Sequence, residues 1–345
     1  MKALTLTAVG GPEHLRVREL PEPAIRSPDQ VLVRIQAAAL NRLDLFVADG
    51  LPGVNYSFPH VMGSDGAGTV VEVGRAVAGL QAGDRVMINP TISCGKCPRC
   101  LQGEESLCTS LQVLGEHRNG LAAEYVVVPA DNLALVPPTM PWSQAAAFSL
   151  ATLTAWRMLV TRGRVMAGET VLIWGIGGGV ALAGLLIARH LGTRTIVTSS
   201  SDAKLEIARS LGADLTLNHR EVDVGAEARK ATGGIGVDAV VDSVGEQSWP
   251  HSLRSLRRGG RLMICGATTG PMIGLDLRRL FWHQWSILGS TLGNRREYAE
   301  IVKLAGEGKL WPVVDQVVPL DEALTAMNRL KRGEQVGKLV IEVTR

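Results

Sequence analysis

The stretch VLIWGIGGGVALAGLLIARHLG (171–192) joins an apolar strand pattern, a glycine-rich turn and an apolar helix pattern. Glycines permit the tight turn and let backbone N–H groups approach a pyrophosphate, whose charge then faces the N-terminus of the helix. This context predicts the first βαβ unit of a dinucleotide-binding sheet rather than a merely flexible turn. The predicted cofactor contacts in the turn are Gly177, Gly178, Gly179 and Val180.

Beyond this stretch, five more apolar runs alternate with helix patterns such as DAKLEIARSLGA (202–213). The predicted strands cover residues 195–200, 214–218, 238–244, 260–266 and 286–290. Six β-runs joined by helices predict an α/β fold with a doubly wound parallel sheet, the Rossmann arrangement.

The end of the second predicted strand, TSSS (198–201), bears on the choice of cofactor because it holds no carboxylate before Asp202. A carboxylate here would hydrogen-bond the ribose 2′-OH of NAD, whereas hydroxyls and a nearby cation suit a 2′-phosphate. NADP(H) is therefore favoured over NAD, with predicted contacts from Ser199, Ser200 and Lys204. In the alternative interpretation, Ser201 or Asp202 only caps the next helix and Lys204 is solvated.

The first part of the chain, up to about Val136, alternates short β patterns with Gly and Pro, as in VLVRIQAAAL (31–40). This pattern predicts a β-rich domain with long loops. The helical pattern WSQAAAFSLATLTAWRMLV (142–160) then leads into the parallel sheet. The predicted domains are a β-rich domain (1–138), a nucleotide-binding domain (139–291) and a tail (292–345) that returns to the first domain.

A cysteine-rich run, SCGKCPRCLQGEESLC (93–108), has the spacing C-x2-C-x2-C-x7-C. Four thiolates from one polar, turn-rich loop are typical of tetrahedral Zn²⁺, and this reading is favoured over disulfides or an iron–sulfur cluster. Four protein ligands leave no open position for water or substrate, so the zinc is predicted to be structural. The predicted ligands are Cys94, Cys97, Cys100 and Cys108.

The composition limits the partners of the 345-residue chain, whose net charge is +3. This charge gives no electrostatic reason to expect nucleic acid or a membrane surface. No apolar run is long enough to cross a membrane, and the first fifteen residues lack a secretory signal pattern. We therefore expect a soluble cytoplasmic protein that acts on a small-molecule substrate.

Together these features resemble the medium-chain dehydrogenase/reductase superfamily. The motifs that carry the resemblance span almost the whole chain: the cysteine run, HVMGSDGAGTVVEVG (60–74), AGDRV (82–86), LATLTAWRML (150–159) and GKLVIEV (337–343). The resemblance implies that the β-rich domain is GroES-like and that the active site is a cleft between the domains. It also implies a homodimer or homotetramer assembled through the edge of the nucleotide-binding domain.

The sequence departs from the zinc alcohol dehydrogenases of this superfamily at their catalytic zinc. The positions that resemble the three metal ligands hold Asn41, Ser64 and Leu150, and only the neighbouring Asp65 is able to coordinate. We therefore predict no catalytic zinc. The N-x-x-D run (41–44) and the GSD run (63–65) instead resemble zinc-free quinone oxidoreductases and enoyl reductases. Some acrylyl-CoA reductases combine that pattern with the zinc lobe.

This resemblance favours reduction of a quinone, or of an alkene conjugated to a carbonyl, by NAD(P)H. Such a reaction needs no metal-bound alkoxide, only a positioned acceptor and a source of a proton. The candidate catalytic residues are Asn41, Asp44, His117 and Thr154, of which Thr154 resembles the family threonine beside the nicotinamide. By the same analogy, the nicotinamide end is lined by Gly266, Ala267, Thr268, Gly289, Ser290 and Thr291.

Two other functions compete with this one. An NAD(P)-dependent alcohol dehydrogenase would need unusual zinc ligands or none, and a non-catalytic relative would keep only the nucleotide-binding fold. Structural readings also compete at single residues: Asn41 in a capped turn, Asp44 as an orienting group and His117 solvated in its loop. Trp282 and Trp285 are expected to pack in the core.

Overall fold

The computed structural model describes residues 1–344 and divides into two compact units. The first unit holds Met1–Ala151 together with the C-terminal segment from Gly293, and the second holds Thr152–Leu292. The domain boundaries predicted after residues 138 and 291 stay predictions. None of the helices in residues 1–344 has both the length and the apolar character that crossing a membrane requires.

The N-terminal part of the first unit is built mainly from strands. They are β1 (Lys2–Leu6), β2 (Leu15–Glu19), β3 (Gln30–Ala39), β4 (His60–Val61), β5 (Asp65–Val73), β6 (Arg85–Ile88), β7 (Thr91–Ile92), β8 (Gln112–Val113), β9 (Tyr125–Pro129) and β10 (Leu133–Leu135). The helices are α1 (Arg42–Asp49), α2 (Pro98–Leu101) and α3 (Trp142–Ala146), with 3₁₀ turns at Pro12–His14, Glu105–Leu107 and Ala130–Asn132. Helix α4 (Ser149–Trp156) begins in the first unit and continues into the second.

The second unit is the predicted doubly wound sheet. Its strands are β11 (Thr170–Ile173), β12 (Arg194–Ser199), β13 (Leu215–Asn218), β14 (Val237–Asp242), β15 (Leu256–Ile264) and β16 (Ser286–Gly289). All five strand pairs are parallel and the order is β13-β12-β11-β14-β15-β16, the 3-2-1-4-5-6 order of dinucleotide-binding folds. The helices are α5 (Gly179–His190), α6 (Asp202–Ser210), α7 (Val224–Ala231), α8 (Trp249–Ser255) and α9 (Leu277–His283).

The C-terminal segment returns to the first unit and completes its sheet. It forms α10 (Arg295–Gly306), β17 (Val314–Pro319), α11 (Ala323–Arg332) and β18 (Lys338–Glu342), with a 3₁₀ turn at Leu320–Glu322. The main sheet runs β10-β6-β5-β3-β18-β17, with β9 also paired to β3. Buried side chains from the two ends of the chain, such as Ile35 and Ile341, share one core. The predicted fold classes, a β-rich domain and a Rossmann sheet, are therefore confirmed.

Two local expectations were wrong. The pattern at 142–160 predicts one helix, but the chain breaks at Ala147 and Phe148 and then continues as α4 and a π-helical segment, Arg157–Arg162. Phe148 is fully buried, so packing of this large side chain outweighs the helix propensity of its neighbours. Of the two tryptophans expected in the core, Trp285 is buried, but Trp282 on α9 is 65% exposed.

Candidate active site and cofactor site

A buried polar cluster lies where three neighbouring strands of the first unit begin or end. Strand β3 ends at Ala39, which pairs with Asp65, the first residue of β5. Strand β18 starts at Lys338 on the other side of β3. Because neighbouring antiparallel strands run in opposite directions, the end of β3 meets the beginnings of β5 and β18. Three segments that are far apart in sequence therefore place polar side chains together.

Lys338 is the cation of this cluster. Its Nζ donates to Asp65 Oδ2 at 2.8 Å and also to Asn41 Oδ1. The Asn41 Nδ2 donates to Asp65 Oδ2 at 3.0 Å, so the three side chains form a closed triangle. All three are buried, with Asp65 fully enclosed and Lys338 only 3% exposed. Burial makes an unpaired charge costly, and each charge here has an opposite partner.

Asp44, in the first turn of α1, holds the backbone around the cluster. Its carboxylate accepts from the N–H of Asn41 at 2.7 Å and from the N–H of Gly63 at 3.1 Å. Burial is the largest influence on this carboxyl and raises its pKa to about 6, which those two hydrogen bonds and Lys338 only partly offset. Asp44 is therefore placed to hold the backbone at Asn41 and Gly63, and its role in the reaction stays a prediction.

The three positions that resemble catalytic zinc ligands lie in or next to this cluster, and Asn41 is part of it. Asp65 Oδ1 accepts from the backbone N–H of Leu150 at 2.7 Å, and Ser64 directly precedes Asp65. Within residues 1–344, the buried Ser64 hydroxyl has no hydrogen-bond partner. One amide, one hydroxyl and one alkyl side chain do not fit the nitrogen and sulfur ligands of a catalytic zinc. The oxygen atoms of Asp65 and Asn41 bind the ammonium of Lys338, and the side chains at these three positions do not form a ligand set for a metal ion.

The other two catalytic candidates lie elsewhere. His117 stays within its own loop, where its Nδ1 accepts from the Val113 N–H at 3.3 Å and lies 3.7 Å from Glu116. Thr154 is buried on α4, one helical turn after Leu150. The roles of both residues stay predictions.

Sequence reasoning missed two buried groups near the cluster. Lys338 lies in GKLVIEV (337–343), where a lysine at the start of an apolar strand is a usable signal of a buried cation. The Tyr298 hydroxyl on α10 contacts the Ser149 hydroxyl at 2.9 Å. Burial, with a smaller effect of the Asp65 charge, raises the pKa of Tyr298, so this phenol stays protonated. Nothing in the pattern of α10 distinguished Tyr298 from an ordinary core residue.

The four cysteines converge as a metal site. Their Sγ atoms all lie within 4.8 Å of one another, and within residues 1–344 no other group of three or more His, Cys, Asp or Glu side chains could hold a metal ion. Tetrahedral zinc with Zn–S distances of about 2.3 Å requires sulfur separations of about 3.8 Å. The separations of Cys100 Sγ from Cys97 and Cys94 are 3.5 and 3.9 Å. The cluster therefore fits a structural Zn²⁺.

Backbone donors around the cysteines favour the thiolate form. The N–H of Cys97 points at Cys94 Sγ, and the N–H groups of Cys94 and Ser110 point at Cys108 Sγ, each at 3.4 Å. Hydrogen bonds from the backbone N–H groups of Lys96 and Cys97 lower the pKa of Cys94 to about 6. At Cys94 this favours the thiolate that zinc binds, whereas burial raises the pKa of Cys100 to about 11.

The glycine-rich turn of the second unit fits a dinucleotide phosphate. Gly175 follows β11 with a φ of +73°, a left-handed conformation that favours glycine. Gly178 is the N-cap residue of α5 and supplies no side chain to the first turn of the helix. The N–H groups of that turn have no partner within the helix and are free to bind an anion. Gly177, Gly179 and Val180 lie in the same turn.

The predicted contacts at the end of β12 lie beside the end of β13. Ser199 is the last residue of β12, and its carbonyl accepts from the N–H of His219 at 3.0 Å. Asp202, the first residue of α6, accepts from the Asn218 amide at 3.0 Å. Ser200 lies between β12 and α6, and Lys204 lies in the first turn of α6. The first carboxylate after β12 is thus engaged by a neighbouring side chain.

The remaining predicted contacts follow the last two strands of the same sheet. Residues 266–268 come after β15, where Thr268 Oγ1 donates to the carbonyl of Ser243 at 2.6 Å. Residues 289–291 follow β16, and the N–H of Ser290 donates to the carbonyl of Ile264 at 2.8 Å. Because all six strands are parallel, these loops lie at the same sheet edge as the glycine-rich turn. Their contacts with a cofactor stay predictions.

One unit with a Rossmann sheet and a glycine-rich phosphate turn, and a second, β-rich unit with a four-cysteine lobe, together define the class of nucleotide-dependent oxidoreductases. Two family models match the chain: the alcohol dehydrogenase GroES-like domain over residues 27–138 and the zinc-binding dehydrogenase domain over residues 179–307. An alcohol dehydrogenase of Geobacillus stearothermophilus is 33% identical over 95% of this chain and 96% of its own length.

Two solved structures match the fold closely. An NAD-dependent alcohol dehydrogenase has a TM-score of 0.95 and 44% identity, with all of both chains covered. A crotonyl-CoA carboxylase/reductase has a TM-score of 0.92 and 27% identity, covering 100% of this chain and 89% of its own. The chain belongs to the zinc-type alcohol dehydrogenase-like branch of the medium-chain dehydrogenase/reductase superfamily, and it is an oxidoreductase of that kind.

Proposed function

We propose that this protein uses NADPH to reduce a quinone, or an alkene conjugated to a carbonyl, without a catalytic metal. The observation that carries the proposal is the cluster around Asp65. The two carboxylate oxygens of Asp65 and the amide of Asn41 bind the Lys338 ammonium and the Leu150 N–H. A zinc enzyme would present metal ligands at this place.

The chemistry follows from that donor set. Oxidation of an alcohol is helped by a Lewis acid that stabilises the alkoxide, and this cluster offers no ligand set for one. Held by residues 177–180 of the glycine-rich turn, the cofactor would supply a hydride to the β-carbon of a conjugated alkene or to a quinone. The enolate or hydroquinone anion that results would take its proton from water or a protein acid. Positioning of the acceptor then provides most of the rate enhancement.

Roles for the other candidates follow from their places in the structure. Both amide atoms of Asn41 already have partners, so Asn41 acts through Asp65 and Lys338 rather than as a free donor. Thr154 is the candidate beside the nicotinamide. His117, whose side chain is 35% exposed, is a candidate proton donor.

A panel of acceptors tests this function. Purified protein should oxidise NADPH with quinones, enones or enoyl-CoA thioesters, and metal analysis should find one zinc per chain. Activity confined to aldehydes and alcohols, or a second zinc, would refute the proposal. Failure to bind NADPH in a fluorescence titration would favour a non-catalytic relative.

An alcohol dehydrogenase is the second candidate, because several similar proteins are named so. Its distinguishing requirement is a metal or another group to stabilise the alkoxide. If alcohol oxidation continued after removal of every metal ion except the zinc of the four-cysteine lobe, a group other than a metal would stabilise the alkoxide.

The preference for NADPH rests on the hydroxyls of Ser199 and Ser200 and on the engaged state of Asp202. A 2′-phosphate needs donors and positive charge, which serines and Lys204 supply. Lys204→Ala should lower kcat/KM for NADPH by about tenfold or more and leave that for NADH nearly unchanged. The exposed Arg209→Ala, on the same helix, is the control. Equal losses with both cofactors, or a wild-type preference for NADH, would favour NAD.

A further inference from the structure

Lys338 joins parts of the chain that are distant in sequence. Its ammonium contacts Asn41, 297 residues earlier, and Asp65, 273 residues earlier. Asp65 connects Lys338 to Leu150, because its second carboxylate oxygen accepts from the Leu150 N–H at 2.7 Å. One side chain thus fixes the end of β3, the start of β5 and the start of α4.

Stability is a poor explanation for this arrangement. The desolvation penalty of burying an ion pair approaches or exceeds the attraction between the charges, and well-packed apolar replacements are often equally stable. Lys338 and Asp65 have side chains only 4% and 0% exposed, so this penalty applies to both. What the pair does provide is orientation, since the hydrogen bonds among Lys338, Asp65 and Asn41 hold each of the three side chains through the other two.

We propose that Lys338 is a positioning residue for the reaction. It acts through Asp65 on the backbone of Leu150, and so on the first turn of α4, the helix that carries Thr154. It also locks the Asn41 amide in one orientation. Its effect on turnover rests on the function proposed above, whereas its hold on Leu150 does not.

Two variants separate positioning from folding. Lys338→Met leaves Asp65 as an unpaired buried charge and is liable to unfold. The double variant K338M/D65N removes both charges, and an asparagine at position 65 still accepts from Leu150 or donates to Asn41. The control is Arg329→Met, which breaks the ion pair of Arg329 with Asp315 at 2.7 Å in the same unit.

Amide hydrogen exchange at Leu150 is the readout that needs no substrate. Both variants lose the ammonium that holds the side chain at position 65, so the acceptor of the Leu150 N–H is free to turn away. The exchange rate should therefore rise by about tenfold or more in K338M and K338M/D65N, but not in R329M. Unchanged exchange at Leu150 in a folded K338M/D65N protein would overturn the proposal. This result is independent of whether the acceptor panel finds a substrate.

Turnover and chemical rescue complete the test. In the folded double variant, kcat should fall by about tenfold or more with the KM for NADPH nearly unchanged, because positioning acts on the reacting geometry. In Lys338→Ala, added methylammonium or ethylammonium should restore part of kcat by filling the vacated place. A double variant with wild-type kcat, or a Lys338→Ala protein that no alkylammonium ion rescues, would assign Lys338 a structural role only.

Discussion

Among single residues, Asp44 links the site to pH. Burial raises the pKa of this carboxyl to about 6, above the value of about 3.9 for an unfolded chain. The folded protein therefore holds the proton more tightly than the unfolded one. As pH rises from about 4 to about 6, Asp44 should remove about 3 kcal/mol from the free energy of unfolding, with no further change above that range.

The variant Asp44→Asn should lack this contribution. Urea unfolding of both proteins between pH 4 and 7 should show that wild type loses stability relative to the variant as pH rises. The comparison cancels the effects of groups that both proteins share. Asp49→Asn changes an exposed carboxylate on the same helix and should follow the wild-type curve. Parallel curves for wild type and Asp44→Asn would contradict the raised pKa.

The sequence identified only part of this cluster. Asn41 and Asp44 were visible because they form one short motif at the start of a helix. Lys338 was not, because its role depends on β18 pairing with β3, a contact between opposite ends of the chain. A sequence pattern relates residues that are close along the chain, whereas this buried ion pair depends on which strands pair and in which register.

Among the elements, the glycine-rich turn gives a test of phosphate binding. A Cβ added at Gly178 would lie 3.5 Å from the carbonyl oxygen of Gly175, an ordinary contact, and its φ is −86°. Gly178→Ala should therefore change stability by less than about 1 kcal/mol. It should still weaken NADPH binding by about tenfold or more, because the methyl group occupies space the phosphate needs.

Gly175→Ala is the contrasting variant. Its φ of +73° is strained for alanine, so this change should itself cost about 1–2 kcal/mol of stability. Fluorescence titration with NADPH and thermal unfolding distinguish the two effects. If Gly178→Ala bound NADPH as tightly as wild type, the turn would not be the phosphate site.

The cysteine lobe should depend on its metal. Cys97→Ser should reduce zinc from one ion per chain to none, because three thiolates hold zinc far less tightly than four. Without the ion, trypsin should cleave the lobe at Lys96 and Arg99, which lie between its cysteines. Metal analysis and mass spectrometry of the fragments measure both results.

Cys265→Ser is the matched control, since Cys265 lies outside the lobe at the end of β15. It should keep one zinc and resist trypsin as wild type does. A Cys97→Ser protein that retained its zinc would exclude the four-cysteine assignment.

The sequence predicted which segments are helices or strands more reliably than it predicted where a helix is interrupted. All six strands of the parallel sheet overlap the apolar runs that predicted them, and the three central strands β11, β12 and β14 are mostly buried, as their apolar sequences require. The interruption between α3 and α4 carries no glycine or proline, and it arises from the burial of Phe148. Such breaks follow from tertiary packing, which local propensity does not encode.

At the scale of the whole molecule, the exposed edge of the second unit points to self-association. Within residues 1–344, β16 pairs only with β15, so its outer edge is unpaired. The preceding helix α9 has no buried residue in this described part of the chain. Leu277, Phe281 and Trp282 are each 65–67% exposed. A seven-residue helix is not stable without packing against another surface.

We propose that a second copy of the chain covers this surface. Antiparallel pairing of two β16 strands about a two-fold axis would satisfy both free edges and bring both α9 helices into the interface. The wild-type protein should then be a dimer, or a tetramer containing that dimer, in light scattering after size-exclusion chromatography.

Phe281→Lys should shift the protein toward monomer. It replaces an exposed apolar side chain with a charge on a surface that already carries Arg258 and Arg279, whose guanidinium groups lie 5.7 and 5.5 Å from the Trp282 and Trp285 rings. The added repulsion and lost burial should weaken self-association by at least about tenfold. Ile235→Lys, at a position 68% exposed in the turn before β14, should leave the oligomer intact. A monomeric wild type, or an equal effect of both substitutions, would rule out this surface as the interface.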